Sequence, residues 1–594
     1  MQTKSDSATA WSKLRKTLGA AITTLALIGT PDIAFRLAGY DVMSLVNGEA
    51  VAIVIILATF LTLMPSRRWR IAVIAFVTIG QLIWLGCLRY FGGVLRPDHI
   101  MLVVSEVSDT TIGIMSELGT LFPVFLLFLT IAAGLWFLHG RQVDSGVWRV
   151  RGAGLLLAVL LLGISYRWMF GAYAVVAFPG LQTASAIGTY HAAVAALRFA
   201  LAPGKAAPGL LVRDQKVDMK ELEEEPVTIL VIMGESINPA RLSLFGAKAD
   251  TSPNLHTWRS NPPPGMAFFP RIGFASGVST WASVPSFIRT AFFPVEGERR
   301  AINLFELADR NGFKSWYFSA QRYHFLGAAG GAPRAERVET EDNNDRIVSR
   351  IKDDFLVDLV RSIPADYSRR QFIFVHQRVN HASYSENCAH VSEAVNIFNM
   401  NGLSVDDTRR ARYDNGLRCW DRNVAALVAS ISGRPGAVHV LVTADHNELM
   451  GEDGLWGHHH PTIRNAAVPF ILLTNRPQSV VSRRFQTMSP ASSHNLSRVV
   501  ARALGAEIEI PDVAADRFYL NKTLPFGMTG YMEVEPLGEW RFKVRSFDRV
   551  GVEAQPTSVE LPEFAIAEGY ARRSEAVSTL EPRAAKGAAE LKVP

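Results

Sequence analysis

Apolar residues follow two rhythms along this chain. In the first 175 residues they gather into long stretches near 17–38, 49–65, 71–90, 119–139 and 152–173, each close to the roughly 20 residues that a helix needs to cross a bilayer. Five membrane-spanning helices are therefore expected, the first interrupted by Pro31 and Asp32. Residues 174–202 are apolar again, but Pro179, Gly180, Gln182, His191 and Arg198 break the run, which predicts a helix lying in the membrane interface. After the charged stretch Lys216 to Glu225 the apolar runs shorten to Val227–Met233, Phe313–Phe318, Phe372–Val375, Val438–Thr443 and Val468–Leu473. Runs of that length read as buried strands. Helical patterns at Leu304–Arg310, Arg412–Ile431 and Asn495–Leu504 alternate with them, as a doubly wound α/β domain requires. The expected layout is a transmembrane domain over 1–175, an interfacial bridging segment over 176–215, an α/β domain over 216–535, and a C-terminal extension over 536–594. That extension has a few short strands, then a charged, alanine-rich and disordered tail.

Charge orients this layout. Only 24 of the 116 charged residues lie in the first 200 positions, which sets the front of the chain apart as membrane. The formal net charge is +6, but no compact basic patch with interleaved aromatics accompanies it, so nucleic acid is set aside as a partner. Lys4, Lys13, Arg15, Lys16, Arg67, Arg68, Arg70, Arg141, Arg149 and Arg151 fall on one side of the expected spans, against Arg36, Arg89 and Arg96 on the other. The positive-inside rule puts the N-terminus in the cytoplasm, and five crossings then put everything after the spans outside it. Of the three cysteines, Cys87 falls inside an apolar run, so one disulfide at most is available, between Cys388 and Cys419.

In a doubly wound sheet the ligand sits beyond the carboxyl ends of the strands. There the first run leads into Gly234-Glu235-Ser236, and the run Val438–Thr443 leads into Ala444-Asp445-His446. A Glu, an Asp and a His are oxygen and nitrogen ligands that suit zinc or manganese. The run Phe372–Val375 leads into His376, with His381 five residues on, and His458 follows Asp445 in Gly457-His458-His459-His460-Pro461. The hydroxyl-rich stretch from Ser276 to Pro285 has the composition of a turn that opens a helix and presents a nucleophile. Singly, each signal has an ordinary counterpart: a cap, a turn, a solvated histidine loop. Their joint placement at strand ends gives them weight.

These residues together resemble the membrane-anchored phosphoethanolamine transferases of Gram-negative bacteria, within the alkaline phosphatase and sulfatase superfamily. The stretch from Gly234 to Gly246 followed by Thr251-Ser252-Pro253 resembles that family's opening segment, and closest are members that modify the lipopolysaccharide core. Ser279 to Phe287 resembles its nucleophile segment, and Tyr413-Asp414-Asn415, Asp445 to Glu452 and His458 follow in the family's order. The resemblance implies an α-helical membrane domain of five transmembrane helices and an alkaline phosphatase-like (sulfatase-like) α/β domain. It also implies a zinc ion, with manganese as a substitute, held by Glu235, Thr280, Asp445 and His446. Thr280 would be the catalytic nucleophile, and His381 and His458 would contact the phosphate and carry protons. Gln321 would touch the head group, and Glu448 would support the metal loop. Phosphatidylethanolamine would be the donor, lipopolysaccharide or another glycan the acceptor, and membrane lipids the surroundings of a monomer in the bacterial inner membrane with a periplasmic catalytic domain. Reduced surface charge and resistance to cationic peptides would follow. Ser276 and Ser286 stand where lipid A modifying members carry cysteines, Asn447 stands for the usual glycine, and Ala247-Lys248 for tyrosine-arginine. The serines favour a core sugar or another glycan over lipid A.

The nearest rival is a phosphoglycerol transferase using phosphatidylglycerol; the next is a phosphodiesterase in which water replaces the acceptor. A sulfatase that needs formylglycine is disfavoured, because Ser283-Val284-Pro285-Ser286 ends in Phe287 rather than arginine. A non-catalytic scaffold would have lost part of the Glu, Asp and His set, which is intact.

Overall fold

The computed structural model describes residues 3–37, 48–64, 66–91, 118–140, 185–201, 216–290, 302–348, 352–382, 398–458, 460–509, 516–522, 531–538, 540–547 and 556–570, with positions 95, 100, 159, 161–163 and 384 besides. It divides into two compact units whose main boundary falls after Lys205.

The first unit is helical: α1 (Thr3–Leu37), α2 (Gly48–Leu63), α3 (Arg67–Phe91), α4 (Leu118–His139) and α5 (Ser185–Leu201). Among the described residues three helical stretches, Arg15–Ala34, Arg67–Arg89 and Leu121–His139, are long and apolar enough to cross a membrane, and Val51–Leu63 is a shorter apolar helix. The fifth expected span, 152–173, lies outside the described residues apart from 159 and 161–163, as does the tail from 571. Helix α1 runs through Pro31 without a break. Buried Ile28, Leu57, Phe60, Leu61, Val77 and Leu135 form the apolar seam between these helices. Hydrogen bonds between helices supplement it, since lipid tails solvate apolar faces as well as a neighbouring helix does. Ser185 donates from its backbone N–H to Asp32 Oδ1 (3.0 Å) and from its hydroxyl to Oδ2 (2.9 Å), so Asp32 caps α5. Thr189 Oγ1 donates to the Gly80 carbonyl at 2.7 Å. The segment read as an interfacial bridge thus contains a helix packed along α3. Its Gly188 lies so close to Trp84 that a Cβ there would come within 2.4 Å of the indole.

The second unit is built on a seven-stranded sheet of β1 (Val227–Gly234), β2 (Ala267–Phe274), β3 (Lys314–Ser319), β4 (Arg337–Glu339), β5 (Arg370–His376), β6 (Ala437–Ala444) and β7 (Ala467–Thr474), in the spatial order β2-β7-β6-β1-β5-β3-β4. Strand β1 is parallel to both β5 and β6 and entirely buried, as its unbroken apolar run requires. Strand β7 runs antiparallel to both of its neighbours, β2 and β6, so the sheet is mixed rather than doubly wound throughout. Between β6 and β7 the chain forms loops and short turns instead of a crossover helix, and without a crossover the returning strand enters in the opposite direction.

Helices α6 (Pro253–Trp258), α7 (Thr280–Ile288), α8 (Leu304–Arg310), α9 (Lys352–Arg361), α10 (Val405–Ile431) and α11 (Ser493–Ala503) join these strands. Tyr413, Leu417, Trp420, Val424, Leu427 and Ile431 recur on α10 at three- and four-residue spacing and are all buried, the stripe by which a helix packs on a sheet. Beyond them β8 (Phe518–Asn521), β9 (Tyr531–Gly538), β10 (Arg541–Phe547) and β11 (Thr557–Glu560) form a separate antiparallel sheet in that order, followed by the helical segment 562–570, α12.

Candidate active site

The register of the central strands sets several carboxyl ends side by side: Met233 pairs with His376, Gly234 with Ala444, and Ser319 with His376. The residues next along the chain, Glu235, Gln321 and Asp445-His446, therefore emerge at one edge of the sheet. Thr280 reaches the same place from α7, where it is the first helical residue after Ser279.

The four residues expected to hold a metal converge. Thr280 Oγ1 lies 3.3 Å from Glu235 Oε2 and 3.3 Å from His446 Nε2. His446 Nε2 is 3.5 Å from Glu235 Oε1 and 3.3 Å from Asp445 Oδ2. One ligand atom from each of Glu235, Asp445 and His446 fits within 4.8 Å of the others. Glu235, Asp445 and His446 are each 0% exposed.

Local hydrogen bonds leave the right atoms open. Asp445 Oδ1 accepts from the backbone N–H of Ser236 (3.0 Å) and of His446 (2.8 Å), while buried Oδ2 accepts no hydrogen bond among the described residues. His446 Nδ1 lies 3.1 Å from the Asn447 carbonyl, which fixes the ring and turns Nε2 toward the carboxylates. Ser236 has a left-handed backbone, φ 58°, a conformation that costs free energy outside glycine. It is held there by the Tyr413 hydroxyl, which donates to the Ser236 carbonyl (2.6 Å) and accepts from the Asn238 N–H (2.8 Å).

Two buried carboxylates side by side need a cation. Burial, then the charge of His458, lowers the pKa of His446 to about 4, so this imidazole is neutral and supplies a lone pair rather than the missing charge. The pKa of Asp445 is raised, chiefly by burial. Two carboxylate oxygens, an imidazole nitrogen and a hydroxyl make a set that suits zinc, and the open Asp445 Oδ2 fits one ligand position.

His458 stands beside this cluster, its ring centroid 4.4 Å from that of His446. Its Nδ1 is 2.7 Å from Glu448 Oε2, and the Tyr384 hydroxyl donates to Glu448 Oε1 at 2.7 Å. Glu448 thus has both oxygens engaged in orienting a histidine. Burial opposes a charge on His458, but the charge and hydrogen bond of Glu448, then the charges of Glu235 and Asp445, raise its pKa to about 9. His381 is half-buried, with its ring 6.1 Å from that of His458 and Nδ1 2.7 Å from the Ala382 carbonyl. Gln321 directs its amide inward: Nε2 donates to Glu235 Oε2 and to the Gln377 carbonyl (3.2 Å) and lies 3.1 Å from His376 Nε2.

Tyr384, the hydroxyl of Tyr413, and His376 behind Gln321 complete the surroundings. Tyr384 follows His381 by three residues with no motif to mark it. His376 ends a buried strand, and only its register against Ser319 and Met233 reveals its place.

The sulfatase family model matches residues 227–505. No curated protein matches the sequence. Among solved structures, the integral membrane lipooligosaccharide phosphoethanolamine transferase A (EptA) from Neisseria meningitidis is similar in fold, at 14% identity and a TM-score of 0.50, over 83% of this chain and 95% of that one. The C-terminal periplasmic domain of EptC from Escherichia coli aligns at 16% identity and a TM-score of 0.41, over 54% and 95% of the two chains. A phosphonate monoester hydrolase of Agrobacterium radiobacter aligns at 13% identity and a TM-score of 0.39, over 59% and 94%.

Proposed function

We propose that this chain is a metal-dependent transferase that moves phosphoethanolamine from phosphatidylethanolamine to a lipopolysaccharide or another envelope glycan, a reading that the match of residues 227–505 to the sulfatase family model supports. The observation that carries the reading is the position of Thr280 Oγ1, 3.3 Å from both Glu235 Oε2 and His446 Nε2, at the start of a helix whose first N–H groups favour an anion. A zinc ion held by Glu235, Asp445, His446 and Thr280 would supply the charge that lowers the hydroxyl pKa and polarises a phosphoryl oxygen.

In the first step Thr280, reacting as the alkoxide that the lowered hydroxyl pKa would favour, forms a bond from Oγ1 to the donor phosphorus in line with the bond that breaks, and diacylglycerol leaves as an alkoxide that takes a proton. His458, oriented by Glu448, and His381 are the groups placed to give that proton. The product is a phosphoethanolamine ester of Thr280. In the second step an acceptor hydroxyl attacks the same phosphorus, a histidine takes its proton, and the bond to Thr280 Oγ1 breaks. A hydroxyl acceptor balances the cycle, since the threonine returns unchanged.

The membrane unit supplies a reason for the fused architecture, because donor and acceptor are both held at a bilayer. We place the protein in the bacterial inner membrane with its catalytic unit in the periplasm. The ten-to-three distribution of basic residues supports that side. So does Cys419, which is disulfide-bonded, whereas buried Cys87 forms no disulfide; disulfides persist in oxidising compartments. Cys388 lies outside the described residues.

The test is transfer in detergent from labelled phosphatidylethanolamine, with diacylglycerol release followed in parallel. Wild-type protein should release diacylglycerol in a zinc-dependent way, and Thr280→Ala should release none while staying folded. Unchanged release by Thr280→Ala would reject the threonine.

A further inference from the structure

The C-terminal sheet β8–β11 and helix α12 lie beyond the stretch that matches the sulfatase family, yet they touch both loops that carry the proposed chemistry. The first contact is on the nucleophile loop. The backbone N–H of Asn521, the last residue of β8, donates to the Ser276 carbonyl at 2.7 Å, and Asn521 bridges to Gly277. The loop is clamped there: a Cβ on Gly277 would lie 2.7 Å from the Ala282 Cβ and 3.1 Å from the Asn521 carbonyl oxygen. Phe274, which leads into this loop, stacks on Phe518 at 4.8 Å and meets Phe542 edge-on at 5.2 Å.

The second contact is on the metal loop. Glu563 of α12 accepts from Arg464 Nε at 2.7 Å, with side-chain exposures of 29% and 17%, so the pair is partly shielded from solvent. The Arg464 carbonyl in turn accepts from Asn447 Nδ2 at 2.9 Å. The Asn447 carbonyl is the group facing His446 Nδ1. A chain of contacts therefore runs from Glu563 through Arg464 and Asn447 to the imidazole whose Nε2 faces Glu235 and Asp445.

We propose that the C-terminal module positions the active site, with Glu563 as a positioning residue that sets the orientation of His446 through Arg464 and Asn447. The inference rests on the metal-site reading above and extends it to a part of the chain outside the matched domain. A carboxylate that only filled space at the surface would have no influence on metal affinity. One that holds the loop behind a ligand would, because partners behind metal ligands tune affinity by orienting them.

The experiment uses full-length protein in detergent as wild type, Glu563→Gln, Glu563→Arg, Arg464→Glu and the double exchange Arg464→Glu/Glu563→Arg. Zinc affinity is read by chelator competition, folding by thermal unfolding, and transfer as separate kcat and KM. Each single variant should bind zinc about 10-fold more weakly at a melting temperature close to wild type, and lower kcat with KM unchanged. The double exchange should recover both. Zinc affinity needs no substrate, so this arm stands even if wild-type protein shows no transfer, which would fail the transferase reading instead. The inference is overturned if Glu563→Gln and Glu563→Arg bind zinc as tightly as wild type, or if weakened binding tracks loss of folded protein.

Discussion

At the residue scale, the environment decides which of several histidines has work to do. His458 and His381 both lie near the metal cluster; a carboxylate, Glu448, fixes one ring nitrogen of His458 and is itself held by Tyr384. Glu448→Gln should therefore lower kcat by about 10- to 100-fold while the protein still binds zinc; loss of zinc with no loss of turnover in the loaded protein would contradict this. Asp421 shows a buried carboxylate used for structure. It accepts from the backbone N–H groups of Asn254 (3.0 Å) and Leu255 (2.9 Å) and so caps α6. Burial pushes its pKa up to about 6, against those hydrogen bonds. The folded state then holds this proton more tightly than the unfolded chain does. The contribution is fully present below the unfolded pKa of about 4 and is lost as pH rises through 6, a two-unit change worth about 3 kcal/mol. Asp421→Asn should flatten the fall in melting temperature between those pH values; an unchanged slope would reject the assignment. Glu235, Asp445 and His446 were legible as residues that directly follow buried strands. Tyr384 and the inward turn of Gln321 were not, because what they touch is far away in sequence.

The elements show the same division. An unbroken apolar run such as Val227–Met233 announces a buried strand, and β1 covers it. The run Val468–Leu473 announced burial equally well, but apolarity carries no direction, so the antiparallel entry of β7 had to come from the structure. Strand β2 is not legible in the sequence, because Phe268, Phe269, Pro270, Arg271 and Ile272 neither alternate cleanly nor form an apolar run. Its end matters nonetheless, since Phe274 is the step from sheet to nucleophile loop and is 5% exposed. Phe274→Ala should destabilise the second unit by about 3–5 kcal/mol, measured by denaturant unfolding. A loss below about 0.5 kcal/mol, the level of ordinary surface substitutions, would show that the C-terminal sheet does not depend on that contact.

For the whole molecule, hydropathy and charge in the sequence point to a membrane unit and an α/β unit, and the described residues include three helical stretches of membrane-spanning length. The proposal joins the two units by chemistry: a lipid donor, a lipid-linked or glycan acceptor, and a threonine that carries the head group between them. That covalent intermediate is the central claim, and intact mass measurement tests it most directly. Full-length wild-type protein and Thr280→Ala would be incubated with mixed phosphatidylethanolamine and phosphatidylglycerol, with and without chelator, and no acceptor. The account predicts a mass increment equal to one phosphoethanolamine group on wild type, absent from Thr280→Ala and from chelated protein. A phosphoglycerol increment would contradict the donor, and an increment that survives in Thr280→Ala would contradict the mechanism.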